Sequence, residues 1–122
     1  MRILLALVLF LLICGSTSFG FTTEQYDDLA KSDSAGKFYL KGVGDSLQFA
    51  SVWSEGNGHA PLFCPPEKFV LTADNFDNIY TEELEKLKKE KGVKQSKSLP
   101  VGLVMLLGLQ STFPCKSAQG GK

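Results

Sequence analysis

The side chains best suited to chemistry in this 122-residue chain are its one histidine and its three cysteines. A nucleophile and a base must lie close together to catalyse a reaction, and His59 stands alone in a glycine-rich stretch. The chain has no HExxH, CxxC or phosphate-loop motif. We therefore expect no catalytic residue, no metal site and no cofactor, and we predict that the protein is not an enzyme.

Adjacent carboxylates are the other candidates for acid–base chemistry, and they occur as Asp27-Asp28 and Glu82-Glu83. Both pairs fall in segments whose apolar spacing predicts helices. Neighbouring side chains on a helix point in different directions, so neither pair can place two carboxylates on one reacting group.

The start of the chain has the three parts of a secretory signal peptide. Arg2 precedes an apolar run over residues 3–13, and small residues permit cleavage before Phe19 or Phe21. The pattern predicts a cleaved signal peptide at residues 1–20, export from the cytoplasm and no membrane contact after cleavage.

Cleavage would remove Cys14 and leave Cys64 and Cys115 in the mature chain. An even number of cysteines in a small exported domain predicts a disulfide. It would close a loop of about 50 residues and stabilise the fold by roughly 4 kcal/mol. Two free thiols are the alternative that an oxidising compartment disfavours, and a metal-binding pair is disfavoured because His59 is the only histidine that could complete it. Lipidation of Cys14 would instead anchor the protein, but Ile13 is not the small residue that bacterial lipoprotein signals need.

Charge argues against a nucleic-acid partner. The 13 basic and 13 acidic residues of the full chain cancel, and the mature chain has a net charge of about minus one. Glu85 and Glu90 dilute the charge of the six lysines between residues 86 and 97, which have no arginine or aromatic residue among them. These lysines predict a solvated helix end rather than an anion-binding patch.

The segment from Leu99 to Cys115 has no charged side chain and is apolar on every face, which predicts a helix buried on all sides. Ser98 can cap it, and Pro100 is tolerated in a first turn. A membrane span is the alternative, but the apolar run is short and ends at Gln110.

Three further helices follow from caps and apolar spacing. Thr22 with Gln25 forms a capping box, and Thr72 caps a helix that ends at Gly92. That helix has an inward stripe made of Phe76, Ile79, Tyr80, Glu83, Leu84 and Leu87.

Residues 38–54 are compatible with a strand because they are rich in Phe, Val, Tyr and Trp. The helix is favoured by an apolar stripe of Leu40, Val43, Leu47, Ala50 and Trp53.

Two details of this helix follow from the same stripe. We expect Gly42 and Ser46 to admit a neighbouring helix, and Trp53 to be buried or partly buried against the apolar helix at residues 99–109.

The stretch from Glu55 to Pro61 predicts an exposed, mobile loop because of its glycines and proline. It is either a simple connector or a recognition tip, since loops on rigid scaffolds often bind partners. The candidate binding residues are Trp53, Glu55, Asn57 and His59.

Together these features predict an all-α fold: a small bundle of about four helices closed by one disulfide at residues 21–115, followed by a disordered tail at residues 116–122.

Four local features together resemble one known family. They are the capped first helix, FYLKGVGDSL at residues 38–47, FCPPE at residues 63–67 and TFPC at residues 112–115. The pattern resembles the Rap/Tai immunity proteins of bacterial type VI secretion systems, over about residues 22–115. The resemblance implies a small helical periplasmic protein that binds and inhibits an exported peptidoglycan amidase effector.

The chain departs from that family's pattern in one respect. Such sequences often have a further cysteine just before the Tyr-x-x-Gly segment, and Gly36-Lys37-Phe38 stands there instead. No toxin-contact residue can be carried over by position. A periplasmic helical stress chaperone and a structural envelope protein remain alternatives, and a homodimer remains open.

Overall fold

Five helices make up the part of the chain that the structure, a computed structural model, describes: residues 20–31 and 34–116. They are α1 (Thr23–Ala30), α2 (Ala35–Gly56), α3 (Ala73–Lys91), α4 (Val93–Lys97) and α5 (Val101–Thr112). Within those residues the only β pairing is an isolated bridge between Thr22 and Pro100. The predicted all-α fold is therefore confirmed, with the five-residue α4 added to the four expected helices.

Two predicted segments lie almost wholly outside the described residues. The signal peptide with Cys14 is described only at Gly20, and the tail only at Lys116.

The helix starts of α1 and α3 are set by local hydrogen bonds, as predicted. The amide N–H of Thr22 donates to Gln25 Oε1, and that of Thr72 donates to Asn75 Oδ1, both over 2.9 Å. Each threonine side chain accepts in return from the amide three residues later, which completes a capping box. The prediction that Ser98 caps α5 is wrong, because its hydroxyl donates backwards to the carbonyl of Gln95 (3.0 Å).

α2 is a helix, as the sequence predicts. Its predicted apolar stripe is buried or half-buried in the first part of the helix but not at its carboxyl-terminal end. Leu40 is buried, whereas Trp53 is 62% exposed, so the predicted burial of Trp53 is wrong. Trp53 lies about 120° around the helix from Leu47. The inward position in this turn belongs to Ser51, which is buried.

Close packing of α2 against α3 depends on Gly44. A Cβ atom there would overlap the ring of Phe76, which is fully buried. Gly42, the predicted contact position, faces open space instead, since a Cβ atom there would meet no neighbour within 4 Å. Gly108 plays the equivalent role on α5, where a Cβ would lie 2.8 Å from Ile79 Cγ2.

α5 packs on α2 and α3 through one face, made of Val101, Val104, Met105, Gly108 and Leu109. Leu103 on its outer side is 42% exposed. The prediction of burial on all sides is therefore wrong, because two neighbouring helices cover only part of the circumference of α5. The inward stripe predicted for α3 is confirmed in full.

Both ends of α5 are tied to distant parts of the chain. At its start, the N–H of Val101 donates to the carbonyl of Phe21 (2.8 Å), and the N–H of Thr23 donates to that of Leu99 (2.9 Å). At its end, Cys115 forms the predicted disulfide with Cys64, with 4.9 Å between the two Cα atoms.

A tyrosine cluster of Tyr26, Tyr39 and Tyr80 joins α1, α2 and α3. The ring centroids of Tyr26 and Tyr80 lie 5.0 Å apart, edge to face. Burial raises the pKa of Tyr26 to about 12, helped by the charges of Asp77 and Asp27. Burial also raises the pKa of Tyr80, whose hydroxyl has no hydrogen-bond partner among the described residues.

Candidate functional site

α2 ends in a turn whose hydrogen bonds follow the Schellman pattern. The N–H of Gly58 donates to the carbonyl of Glu55, and the N–H of His59 donates to that of Ser54, both over 3.0 Å. Gly58 has a φ of 79°, a left-handed conformation that favours glycine. The turn that the sequence predicts as a mobile loop is thus hydrogen-bonded to the helix before it.

The four predicted binding residues divide between the helix and this turn. Trp53 and Glu55 lie on the last two turns of α2 with exposed side chains, although Glu55 was expected in the loop. Asn57 has a structural role, because its Nδ2 donates to the carbonyl of Trp53 over 2.7 Å. His59 is exposed on the turn. The structure brings these residues to one end of α2 without forming a catalytic arrangement.

The chain after the turn runs back across α2 and α5. Ser51 Oγ accepts from the N–H of Leu62 (2.9 Å), and the side-chain amide of Gln110 donates to the carbonyl of Leu62 (3.1 Å). The N–H of Cys64 donates to the carbonyl of Phe113 (2.9 Å), next to the disulfide. This segment is therefore held to both helices by hydrogen bonds as well as by a covalent bond.

A turn at Lys68 closes the segment. The N–H of Phe69 donates to the carbonyl of Pro66 over 3.1 Å. Lys68 has a φ of 64° and occupies the third position of this turn, where glycine or asparagine is usual. Such a backbone costs on the order of 1 kcal/mol. The ring centroids of Phe69 and Phe113 lie 5.7 Å apart. This aromatic contact offsets the free-energy cost of the backbone conformation at Lys68.

A groove of about 460 Å³ lies between α2 and this segment. The wall on α2 consists of Gln48, Ser51, Val52 and Glu55, and the facing wall includes Phe63, Glu67, Lys68 and Phe69. A second depression, of about 500 Å³, lies among exposed side chains of α3 alone and has no facing wall. The first groove is the better binding site because two separate parts of the chain enclose it.

An exposed apolar face adjoins the groove. Phe49, Val52 and Trp53 are 73%, 69% and 62% exposed, and Val52 and Trp53 both neighbour Phe49 on the helix surface because they follow it by three and four residues. We call these three residues the α2 apolar face. Val52 belongs to both the face and the groove, so the two form one continuous surface.

Sequence reasoning identified Trp53 and Glu55 but missed Val52 and the facing wall. The signal for Val52 was present, because Phe49 and Val52 lie about 120° or more around the helix from Leu40 and Leu47. The facing wall had no such signal, since it depends on where the segment after α2 crosses the helix.

Among residues 20–31 and 34–116, no group of three or more His, Cys, Asp or Glu side chains is arranged to hold a metal ion. None of the helices in that part of the chain has the length and apolar character needed to cross a bilayer.

Comparisons with models of known families, with curated proteins and with solved structures found no match to this chain.

Proposed function

We propose that this protein binds an exported peptidoglycan amidase effector of a type VI secretion system in the periplasm and inhibits it without chemistry of its own. The observation that carries the proposal is the α2 apolar face. Three large apolar side chains that are each more than 60% exposed lie side by side next to a groove. Contiguous exposed apolar patches on small proteins are typical of interaction sites.

The rigidity of the surface supports binding. The face lies on a 22-residue helix that ends in a hydrogen-bonded turn, and a disulfide and Ser51 hold the facing wall of the groove. A surface that is already ordered loses little conformational entropy when a partner docks. A tryptophan at the centre of such a surface is a typical site of high binding energy.

The class of partner comes from the sequence resemblance to Rap/Tai immunity proteins. The predicted signal peptide would bring the protein to the compartment in which peptidoglycan is cleaved. A rigid helical domain with an exposed apolar face suits the blocking of an enzyme better than catalysis.

The test is inhibition of the amidase encoded beside this protein. We expect cleavage of crosslinked muropeptides to stop when the mature protein reaches a 1:1 ratio with the enzyme. A muramidase that acts on the same cell walls is the control and should keep its full activity, which excludes sequestration of the substrate. Full amidase activity at saturating protein, for every effector encoded beside it, would contradict the proposal.

The exposed apolar face also suits a chaperone that holds unfolded proteins. That alternative predicts suppressed aggregation of several unrelated clients and no effect on a folded amidase. An aggregation assay with two unrelated unfolded proteins separates the two functions.

A further inference from the structure

We propose that the bound segment of the amidase carries a lysine or arginine, which pairs with Glu55 in the groove while neighbouring apolar side chains cover the α2 apolar face. This inference rests on the proposed function and names the chemistry of the partner at the same surface. It follows from the charges at the end of α2.

The carboxyl-terminal end of α2 has an excess of negative charge that no ion pair among the described residues compensates. A helix has a partial negative charge at this end. α3 balances its own end with Lys88, Lys89 and Lys91, whereas the last turn of α2 contains no basic residue and does contain Glu55. No lysine in the described part of the chain lies within ion-pairing distance of Glu55. A cation from a partner would therefore interact with both the carboxylate and the helix end.

The other charged side chains of the groove do not neutralise Glu55. Glu67 and Lys68 lie on the facing wall, and neither forms an ion pair within the described residues. Together with Glu55 they give the groove a net charge of minus one. A partner with a single basic side chain neutralises it.

The position of Glu55 beside the α2 apolar face distinguishes it from Glu67, the other unpaired carboxylate that lines the groove. Val52, one turn before Glu55, forms both the edge of the groove and part of the α2 apolar face. A segment that fills the groove must therefore also cover the face. An ion pair that the segment shields from water is stronger than one at an open surface. An arginine would add stacking on Phe69, which also lines the groove.

The experiment compares two pairs of matched variants in the amidase inhibition assay. Glu55→Lys is matched with Glu90→Lys, because Glu90 is an exposed glutamate without an ion pair near the carboxyl-terminal end of α3. Val52→Asp is matched with Val93→Asp, because Val93 on α4 is 57% exposed and outside the groove. All four sites are exposed, and unchanged far-ultraviolet circular dichroism and unfolding midpoints verify that each variant is folded.

We expect Glu55→Lys and Val52→Asp each to raise the inhibition constant roughly tenfold or more, and the two control variants to change it less than about twofold. The wild-type inhibition constant should also rise between 50 and 300 mM salt, and this rise should be smaller in Glu55→Gln, on the order of half. A second reading comes from the single tryptophan. Labelled as 5-fluorotryptophan, Trp53 should shift its fluorine resonance on addition of the amidase.

The outcomes separate this inference from the proposed function. If the wild-type protein does not inhibit the amidase, the proposed function fails. If the wild-type inhibits and Val52→Asp is as potent as Val93→Asp, the function stands and this docking surface is wrong. If Val52→Asp weakens inhibition and Glu55→Lys does not, the docking surface is right and the proposed pairing of Glu55 with a basic side chain of the amidase is wrong.

Discussion

Two groups of aromatic side chains differ in burial: one lies inside the protein and the other faces solvent. The tyrosine cluster is packed between three helices, with ring centroids 5.0 Å apart for Tyr26 and Tyr80. Phe49 and Trp53, on the same α2 helix that provides Tyr39, are 73% and 62% exposed. The rings with a polar hydroxyl are inside, and the wholly apolar phenylalanine is outside. Polarity alone predicts the reverse, so position on the helix, and not the polarity of the ring, decides which of these rings is buried.

The largest effect should come from truncating one phenylalanine of each kind. Phe76→Ala removes a fully buried ring that packs on Gly44, and we expect it to lower the free energy of unfolding by about 4 kcal/mol. Phe49→Ala should change it by less than about 0.5 kcal/mol. Urea unfolding measures both. Similar losses for the two variants would mean that Phe49 is packed in the free protein, and the comparison would fail.

The disulfide should have the next largest effect because it closes a loop between residues 51 positions apart. Replacing both Cys64 and Cys115 with alanine should lower the free energy of unfolding by up to about 4 kcal/mol. The hydrogen bonds of Ser51 and Gln110 to the same segment remain, so the domain should still fold.

Reduction of the wild-type protein should reproduce this loss and should not affect the double variant. Since Cys64 borders the groove, inhibition of the amidase should also weaken. Unchanged stability on reduction would count against a structural role for the bond.

Two glycines on one helix test how the buried side is packed. Gly44→Ala forces a methyl group against Phe76 and should lower the free energy of unfolding by about 2 kcal/mol. Gly42→Ala meets open space and should raise it by about 0.5–1 kcal/mol, because alanine is the better helix former. Thermal unfolding of the two variants gives the sign of each change. The same sign for both would refute the proposed packing of α2 on α3.

A smaller effect than that of Gly44→Ala concerns the Tyr80 hydroxyl, which is buried without a partner in the described part of the chain. Tyr80→Phe removes that polar group and should raise the free energy of unfolding by about 1 kcal/mol at neutral pH. Tyr39→Phe, on a less buried ring, is the control and should have a smaller effect. Loss of stability in Tyr80→Phe would show that the hydroxyl has a partner.

The same cluster predicts a dependence of stability on alkaline pH. Burial raises the pKa of Tyr26 from 10.0 to about 12 in the folded protein. Its contribution to stability is therefore fully present below pH 10 and is lost as the pH rises towards 12, by at most about 1.4 kcal/mol per pH unit. Tyr26→Phe should reduce this alkaline loss in urea unfolding series. An equal loss in that variant would assign the effect to other groups.

The sequence alone determined the features that depend on neighbours within one helical turn. The capping boxes, the inward stripe of α3 and the helical nature of residues 38–54 all follow from side chains three or four positions apart. The Cys64–Cys115 pairing followed from counting, because only two cysteines were expected in the mature chain.

The tertiary structure decided which apolar positions are covered. Gly44 rather than Gly42 meets α3, Trp53 faces solvent rather than α5, and α5 keeps Leu103 exposed. The groove likewise forms only where residues 61–69 cross α2. The helical sequence pattern does not distinguish between these positions, because the competing residues are alike in size or in apolar character. The choice among them depends on the relative rotation of helices far apart in the chain, which no local pattern encodes.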